Sequence, residues 1–294
     1  MAVEPAAHMA AALTLASGAA AVLVGTGALC MRAGGGNQEP TPAADDKTLR
    51  LWRELDSNGI VIIDDVYSPD QIAAFRSHYD ELFAQVQAKM DKLNSKTQTY
   101  LNVWNKEVTL DKVQIYHLED DSEIIKIADG RYDFTTGMET GIFAESAFHE
   151  PPVLARLMRF ALRDEYSHYA GALPSKSKSV HGPWHRDTYD MFGDDTIDVT
   201  LPPFYYTVLI PLVECTLETG ATEFVVGSHK QPAAQCSECQ HFPAVCRPGS
   251  IVVFDGRTCH RGLPNTSSAE RPVLYMVRHT IFPCYQTCRS CLWI

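Results

Sequence analysis

Residues 248–277 read PGSIVVFDGRTCHRGLPNTSSAERPVLYMV and contain two apolar runs separated by a turn-rich segment. The run at 251–255 follows a Pro-Gly turn, and the run at 273–277 follows another proline. Upstream, residues 204–212 (FYYTVLIPL) and 222–226 (TEFVV) are further short apolar runs. Short strands at this spacing, broken by Gly and Pro, predict an all-β sandwich or barrel core.

Polar residues beside these strands have a pattern suited to metal binding. His185 and Asp187 are two residues apart, so on a β-strand their side chains point to the same face. His260, from a distant strand, would complete two histidines and one carboxylate on one side of a metal, the signature of non-haem Fe(II) oxygenases. Arg271 is a permanent cation whose planar fork is suited to clamping a carboxylate.

The order of these residues resembles the phytanoyl-CoA dioxygenase family of Fe(II)/2-oxoglutarate oxygenases. The resemblance rests on His185-x-Asp187, on the ten residues between His260 and Arg271, and on the segments 220–229 (GATEFVVGSH) and 254–262 (FDGRTCHRG). It extends over about residues 51–283. It implies a mainly β fold with flanking helices, namely a double-stranded β-helix or cupin-like jelly roll.

The resemblance also implies the activity and the site residues. Fe(II) would be ligated by His185, Asp187 and His260, Arg271 would pair with the far carboxylate of 2-oxoglutarate, and O2 would take a remaining metal position. The expected reaction is hydroxylation of a small organic substrate with release of succinate and CO2. Asp187 favours hydroxylation over halogenation, because a halogenase of this type leaves the carboxylate position open for halide.

Two further residues are candidates for the cosubstrate site. Residues 110–116 indicate a strand on which Lys112 falls where this family can place a cation near 2-oxoglutarate, although a solvated surface lysine is an equal alternative. Thr207 and Leu209 share a strand face and are candidates to line the same pocket, with plain core packing as the alternative. His279 rivals His260 as the distal ligand but lacks a later arginine at the right spacing.

The substrate stays open at this level. Residues 188–198 (TYDMFGDDTID) are acidic and predict a loop at the pocket rim, where specificity usually lies. An acidic rim disfavours a polyanion such as a CoA thioester, whereas Lys176, Lys178 and Arg186 nearby favour one. Desaturation, epoxidation and cyclisation remain alternatives to hydroxylation at the same iron site.

Length and charge fit one enzyme domain. The chain has 294 residues, and jelly-roll domains commonly exceed 200 residues, so we expect a single oxygenase domain over residues 46–294 with a cysteine-rich C-terminal tail. The net charge of −11 disfavours a nucleic-acid partner. Nothing in the sequence indicates an oligomeric state.

The N-terminal residues 1–45 are expected to lie outside this domain. Residues 9–31 carry no charge and are long enough to span a bilayer, for which about 20 apolar residues suffice. Glu4 and the absence of Lys or Arg before residue 9 fit a secretory signal poorly. A flexible linker follows at 34–42. Membrane anchoring through residues 9–31, organelle targeting and a disordered tail on a cytoplasmic enzyme are the alternatives.

The nine cysteines suggest a second, competing function. They include two clusters, one of Cys236, Cys239, His241 and Cys246 and one of Cys284, Cys288 and Cys291. These clusters are compatible with disulfides, free thiols or tetrahedral zinc. A cysteine-rich zinc or redox protein and a non-catalytic jelly-roll binding module are therefore the alternatives to an oxygenase, and the complete metal and carboxylate-clamp set argues against the binding module.

Helices are expected before the β core. Apolar spacing predicts a helix at 47–57 that ends at Asn58-Gly59, followed by a strand at 60–63. Ser68-Pro69-Asp70-Gln71 is a strong helix start, and the helix is expected to run towards Leu93. Residues 145–163 predict a helical region interrupted by Pro151-Pro152.

Overall fold

The computed structural model describes residues 45–93, 96–97, 100–101, 107–108, 114–118, 123–163, 166–188, 195–232 and 239–280. Lys112, the N-terminal segment 9–31 and the cysteines at 236, 284, 288 and 291 therefore lie outside the described residues. No helix within the described ranges is long and apolar enough to cross a membrane.

The described elements are mostly β-strands. The helices are α1 Asp46–Asn58, α2 Pro69–Met90, α3 Ser146–His149, α4 Pro152–Leu162 and α5 Asp195–Asp198. The strands are β1 Ile60–Ile63, β2 Lys96–Thr97, β3 Tyr100–Leu101, β4 Glu107–Val108, β5 Gln114–His117, β6 Glu123–Ala128, β7 Arg131–Phe134, β8 Tyr166–Ala172, β9 Tyr205–Pro211, β10 Thr222–Val225, β11 His241–Pro243, β12 Ile251–Asp255, β13 His260–Gly262 and β14 Val273–Thr280.

Two antiparallel sheets form the body of the fold. The larger sheet has the order β1-β12-β9-β14-β8-β7-β6-β5-β2, and the smaller sheet has the order β11-β10-β13. A bridge between His185 and His260 adds the segment around His185 to the edge of the smaller sheet. Strands distant in sequence thus become neighbours, and the predicted double-stranded β-helix with flanking helices is confirmed.

Side chains alternate between the two faces of the large sheet. In β9 and β14 the face carrying Tyr206, Val208, Leu274 and Met276 packs into a hydrophobic core with α2 and α4. The opposite face, carrying Leu209, Val273 and Tyr275 among others, contributes to a second core that includes Phe224 of the smaller sheet. The second core lies between the sheets and holds the site described below.

The helix boundaries agree with the sequence patterns. Gly59 ends α1 with a left-handed φ of 79°, and its N–H donates to the carbonyl of Leu55. Ser68 and Gln71 form a reciprocal capping box at the start of α2. α2 ends at Met90, earlier than the Leu93 expected from the sequence. Pro151 separates α3 from α4 as predicted, because a proline ring is incompatible with the interior of a continuous helix.

Candidate active site

A backbone bridge brings His185 and His260 side by side. The N–H of His185 donates to the carbonyl of His260 at 3.0 Å, and the reverse bond is 2.9 Å. Their ring centroids are 4.2 Å apart. The N–H of Asp187 donates to the carbonyl of Gly256 at 2.7 Å, which fixes the carboxylate beside the same strand pair. The three predicted metal ligands are therefore brought together although 73 residues separate Asp187 from His260 in the sequence.

The potential ligand atoms converge on one point. Nε2 of His185 lies 3.6 Å from Oδ1 of Asp187, and Nε2 of His260 lies 3.4 Å from the same oxygen. One potential ligand atom from each of the three residues lies within 4.8 Å of the other two. Within the described parts of the chain, this is the one cluster of His, Cys, Asp or Glu with such geometry.

Hydrogen bonds prepare both imidazoles for metal binding. Nδ1 of His185 lies 3.0 Å from the carbonyl of Pro183, and Nδ1 of His260 lies 3.0 Å from the carbonyl of Thr258. Because a carbonyl only accepts, each Nδ1 carries the proton and each Nε2 presents its lone pair to the metal position. Burial lowers the pKa of His260 to about 4, which keeps this imidazole neutral.

Thr207 acts on the carboxylate ligand. Its Oγ1 donates a 2.6 Å hydrogen bond to Oδ2 of Asp187. Oδ2 is thereby occupied, and Oδ1 faces the two histidines. A place for Thr207 in the cosubstrate pocket stays a prediction, and the observed contact makes Thr207 a residue that positions the carboxylate of Asp187. Leu209, on the same strand face, belongs to the core between the sheets.

Arg271 is buried, with 4% of its surface exposed. Its Nε has no hydrogen-bond partner among the described residues. Arg131 on β7 is close to Arg271 across the sheet. Ser175 lies between them and forms a β-bridge with each. Burial is the main cause, and the charge of Arg271 the second cause, that together lower the pKa of Arg131 to about 9. Two neighbouring buried cations form a site suited to an anion.

Arg131 was not predicted from the sequence as part of the site. Its guanidinium donates to the carbonyls of Val180 and Leu263. It lies so close to Gly262 that a Cβ at that position would overlap it. Arg131 is followed by Tyr132, Asp133 and Phe134, so charged and aromatic residues alternate along this strand. That alternation was the available signal, because it puts Arg131 and Asp133 on one face of β7.

A cluster of tyrosines and one carboxyl group lies beside the metal ligands. The hydroxyl of Tyr275 donates to Oδ1 of Asp133 at 3.0 Å, and the hydroxyls of Tyr169 and Tyr205 are 2.9 Å apart. Burial raises the pKa of Asp133 to about 7, and the charge of Asp187 contributes to this rise. The pocket wall next to the metal position is therefore polar and aromatic.

A cavity of about 480 Å³ adjoins this cluster through Tyr169. The ring of Tyr205 packs over Gly256, whose carbonyl accepts the hydrogen bond from Asp187. His168 and Ala170 pair with Arg278 and Met276 of β14, so their side chains lie on the helix-facing side of the large sheet, and the cavity lies mainly on that side rather than between the sheets. The cavity is lined by Thr135, Thr136, Met138, Glu139, His149, His168, Tyr169 and Ala170.

Other residues near the site have structural contacts. Nε2 of His229 donates to the carbonyl of Asp56 at 2.9 Å, which ties the segment after β10 to α1. His279 packs against the ring of Tyr205 and takes no part in the metal cluster. The indole of Trp184 stacks beneath the guanidinium of Arg261. Residues 188–198 were expected to form a loop, and their last four residues form the short helix α5.

The cysteine grouping differs from the one expected. Cys246 pairs with Cys215 through a backbone bridge. The thiol of Cys239 donates instead to Oε1 of Gln231 at 3.0 Å. Among the described residues, Cys239, His241 and Cys246 therefore do not converge as zinc ligands would. Proximity in the sequence did not predict which cysteines are neighbours. Cys215 and Cys246 are distant in the sequence and become neighbours through the pairing of two antiparallel segments.

Two histidines and one aspartate on one side of a metal position, inside a jelly roll with a buried arginine, define the class of iron- and 2-oxoglutarate-dependent dioxygenases. The chain is an enzyme of this class. It belongs to the phytanoyl-CoA dioxygenase family, which it matches over residues 55–273.

Named relatives agree with this assignment. The chain is 25% identical to the dioxygenase trt7 of Aspergillus terreus over 235 residues, which are 79% of this chain and 72% of the relative. It is 34% identical to the iron/alpha-ketoglutarate-dependent dioxygenase penM of Penicillium thymicola over 92 residues, 30% of this chain and 29% of the relative. A crystal structure of the epimerase SnoN in complex with Fe3+, alpha-ketoglutarate and nogalamycin RO shares the fold, with a TM-score of 0.53, 15% identity and coverage of 79% and 83% of the two chains.

Proposed function

We propose that this enzyme hydroxylates a small organic substrate and releases succinate and CO2, with Fe(II) held by His185, Asp187 and His260. The observation that carries the proposal is the convergence of the two Nε2 atoms on Oδ1 of Asp187, with both Nδ1 atoms already engaged. Bound iron, together with 2-oxoglutarate and O2, supplies the oxidising chemistry. The protein supplies the orientation of these groups.

Arg271 is proposed to hold the far carboxylate of 2-oxoglutarate. A buried guanidinium whose Nε has no partner is costly to maintain unless an anion completes its hydrogen bonds. Arg131 adds a second positive charge nearby, which suits a dianionic cosubstrate. The corresponding role of Lys112 remains a prediction, since that residue lies outside the described ranges.

A small polar substrate rather than a CoA thioester is proposed from the groups beside the metal ligands. The hydroxyls of Tyr169 and Tyr205 are 2.9 Å apart, and the hydroxyl of Tyr275 donates to the carboxyl group of Asp133. These groups offer hydrogen bonds to polar atoms of a small substrate, whereas a carboxyl group does not complement the charge of a polyanionic thioester.

Hydroxylation is the outcome favoured by the ligand set. Asp187 occupies the position that a halide would need in a halogenase, and Thr207 holds it there. Substrate pose decides between hydroxylation and other oxidative outcomes, and the fold also serves an epimerase. Mass spectrometry of the product formed under 18O2 separates hydroxylation and epoxidation, which add an oxygen atom from O2 to the substrate, from desaturation, cyclisation and epimerisation, which do not. NMR spectroscopy then distinguishes an alcohol from an epoxide.

The test of the site needs no substrate. Fe(II) is added anaerobically to the full chain, followed by 2-oxoglutarate, and the weak visible metal-to-ligand charge-transfer band is measured. The band is expected with the native protein and should vanish in Asp187→Ala and His260→Ala. Lys230→Ala, which removes an exposed cation paired with Asp56, is the matched control and should keep the band. Absence of the band in folded native protein would refute the proposed site.

A further inference from the structure

Cys215 and Cys246 occupy directly opposed positions on two antiparallel segments. The N–H of Cys215 donates to the carbonyl of Cys246 at 2.8 Å, and the reverse bond is 3.0 Å. Cys215 follows β9, and Cys246 precedes β12. Both residues are buried, with 3% and 8% of their surfaces exposed. They belong to the same hydrophobic core between the sheets.

This placement meets the geometric requirement for a disulfide. Residues that exchange both backbone hydrogen bonds in an antiparallel pair have Cα atoms about 5.5 Å apart. Disulfides span Cα separations of about 4.4–6.8 Å. Both thiols also belong to the same buried core. A bond between them therefore requires rotation of side chains rather than movement of the backbone.

Arg271 acts on both thiols of the pair. Its positive charge favours a lower pKa at Cys215 and at Cys246. Since the thiolate is the reactive form, either cysteine can attack an oxidant while the other resolves the product.

We propose that Cys215 and Cys246 form a reversible oxidative modification site beside the arginine that holds the cosubstrate. The thiolate of one cysteine attacks hydrogen peroxide, giving a sulfenic acid and hydroxide, and the hydroxide takes up a proton to become water. The thiol of the other cysteine then attacks that sulfur, forming the disulfide with loss of a second water. Two thiols and one peroxide thus become one disulfide and two waters, and a dithiol reductant reverses the step by exchange.

Occupancy of the cosubstrate site should control this modification. The argument rests on the proposed role of Arg271. A bound dicarboxylate neutralises the charge of Arg271, so the thiolate of Cys215 loses a stabilising neighbour. Oxidation of the pair should therefore slow severalfold when Mn(II) and 2-oxoglutarate are bound. The enzyme would then be protected while its cosubstrate is present and modified when it is absent.

Peptide mapping of the full chain tests the modification. Cleavage after Glu and Arg places Cys215 in residues 215–218 and Cys246 in residues 239–257, because the Arg247-Pro248 bond resists trypsin. Cys239 shares the second peptide, so the experiment uses Cys239→Ser, in which a link between the two peptides must come from Cys246. After peroxide treatment we expect the linked pair by mass spectrometry, and its loss with dithiothreitol. Adding Cys246→Ser to the Cys239→Ser protein gives the matched control, which should show no link.

Two results would overturn the proposal, and neither depends on iron. Failure of the linked peptide to form in folded metal-free protein, while other cysteines oxidise, would refute the modification site itself. A linked peptide that forms at the same rate with and without Mn(II) and 2-oxoglutarate would refute its coupling to the cosubstrate. Equilibrium dialysis of 2-oxoglutarate under the same conditions shows whether the proposed cosubstrate site, rather than the cysteine pair, is at fault.

Discussion

The hydroxyl of Thr207 donates a 2.6 Å hydrogen bond to Oδ2 of Asp187, and this contact turns Oδ1 towards His185 and His260. Thr207 comes from β9 of the large sheet, whereas both histidines lie at the edge of the small sheet. The metal carboxylate is therefore held by one sheet and the imidazoles by the other. Correct spacing of the two sheets is a condition for a complete ligand set.

Thr207→Val should weaken metal binding while preserving the fold. Valine keeps the shape of threonine but cannot donate to Asp187, so the carboxylate can rotate away from the metal position. Loss of such an outer contact typically reduces metal affinity or activity by about 10–100-fold. Titration with Mn(II), followed by electron paramagnetic resonance, measures the affinity. Thr207→Ser keeps the hydroxyl and should stay near the native value; an equal loss in both variants would contradict the positioning role.

Arg271→Gln should weaken 2-oxoglutarate binding and leave metal affinity intact. Removing one partner of a buried charge pair costs about 2–5 kcal/mol, which corresponds to roughly 30-fold or more in Kd. Calorimetric titration of the Mn(II)-loaded protein measures this change. Arg247→Ala, at an exposed arginine paired with Asp65, is the control and should leave both affinities unchanged. Unaltered 2-oxoglutarate affinity in Arg271→Gln would disprove the clamp.

Arg131→Met should also weaken 2-oxoglutarate binding, but by less than the change at Arg271. Arg131 already donates to two backbone carbonyls, so it acts mainly through its charge. Loss of one charge-assisted hydrogen bond costs about 1.5–3 kcal/mol. The loss of binding free energy for 2-oxoglutarate in Arg131→Met should lie at or below the lower end of this range. The comparison of Kd values in the two variants ranks their contributions. A larger effect at Arg131 would reverse the assignment of the principal cation.

The convergence of His185, Asp187 and His260 could be predicted from the sequence, whereas the electrostatic surroundings of these residues could not. His185 and Asp187 share a strand face through a local i, i+2 spacing, and the alternation of strands is visible in the apolar runs. Arg131 becomes a neighbour of Arg271 only because β8 lies between β7 and β14 in the sheet. That pairing joins residues about 140 positions apart, and no local pattern encodes it. The same reasoning explains why Cys246 was grouped with Cys239 rather than with Cys215.

Asp255→Asn should destabilise the fold. The carboxylate of Asp255 forms a buried salt bridge with Arg257 at 2.7 Å, and both side chains are at most 5% exposed. Arg257 also donates to the carbonyls of Asp198 and Leu201, so it anchors the segment that follows the metal carboxylate. Removing one partner of a buried pair costs about 3–5 kcal/mol. Urea denaturation measures the free energy of unfolding.

The exposed pair of Arg247 and Asp65 provides the comparison for this measurement. Its side chains are 60% and 80% exposed. Removal of such a pair changes stability by about 0–1 kcal/mol, because water screens the charges. Arg247→Ala should therefore unfold near the native urea concentration. Equal losses in Arg247→Ala and Asp255→Asn would show that burial does not distinguish the two pairs.

Asp133 should make the metal-free protein less stable as the pH rises. Burial raises its pKa to about 7 from a usual value of 3.8, so the folded state keeps the carboxyl group protonated over a range in which the unfolded chain has lost the proton. The stabilisation that Asp133 contributes is complete below the pKa that this residue has in the unfolded chain. It is lost as the pH rises to the pKa that Asp133 has in the folded protein. The free energy of unfolding should therefore fall between about pH 4 and pH 7. In Asp133→Asn the new side chain does not ionise, so the part of the decrease in the free energy of unfolding that Asp133 causes should be absent. Urea denaturation of both proteins across that range decides the matter, since parallel pH profiles would show that Asp133 does not titrate with folding.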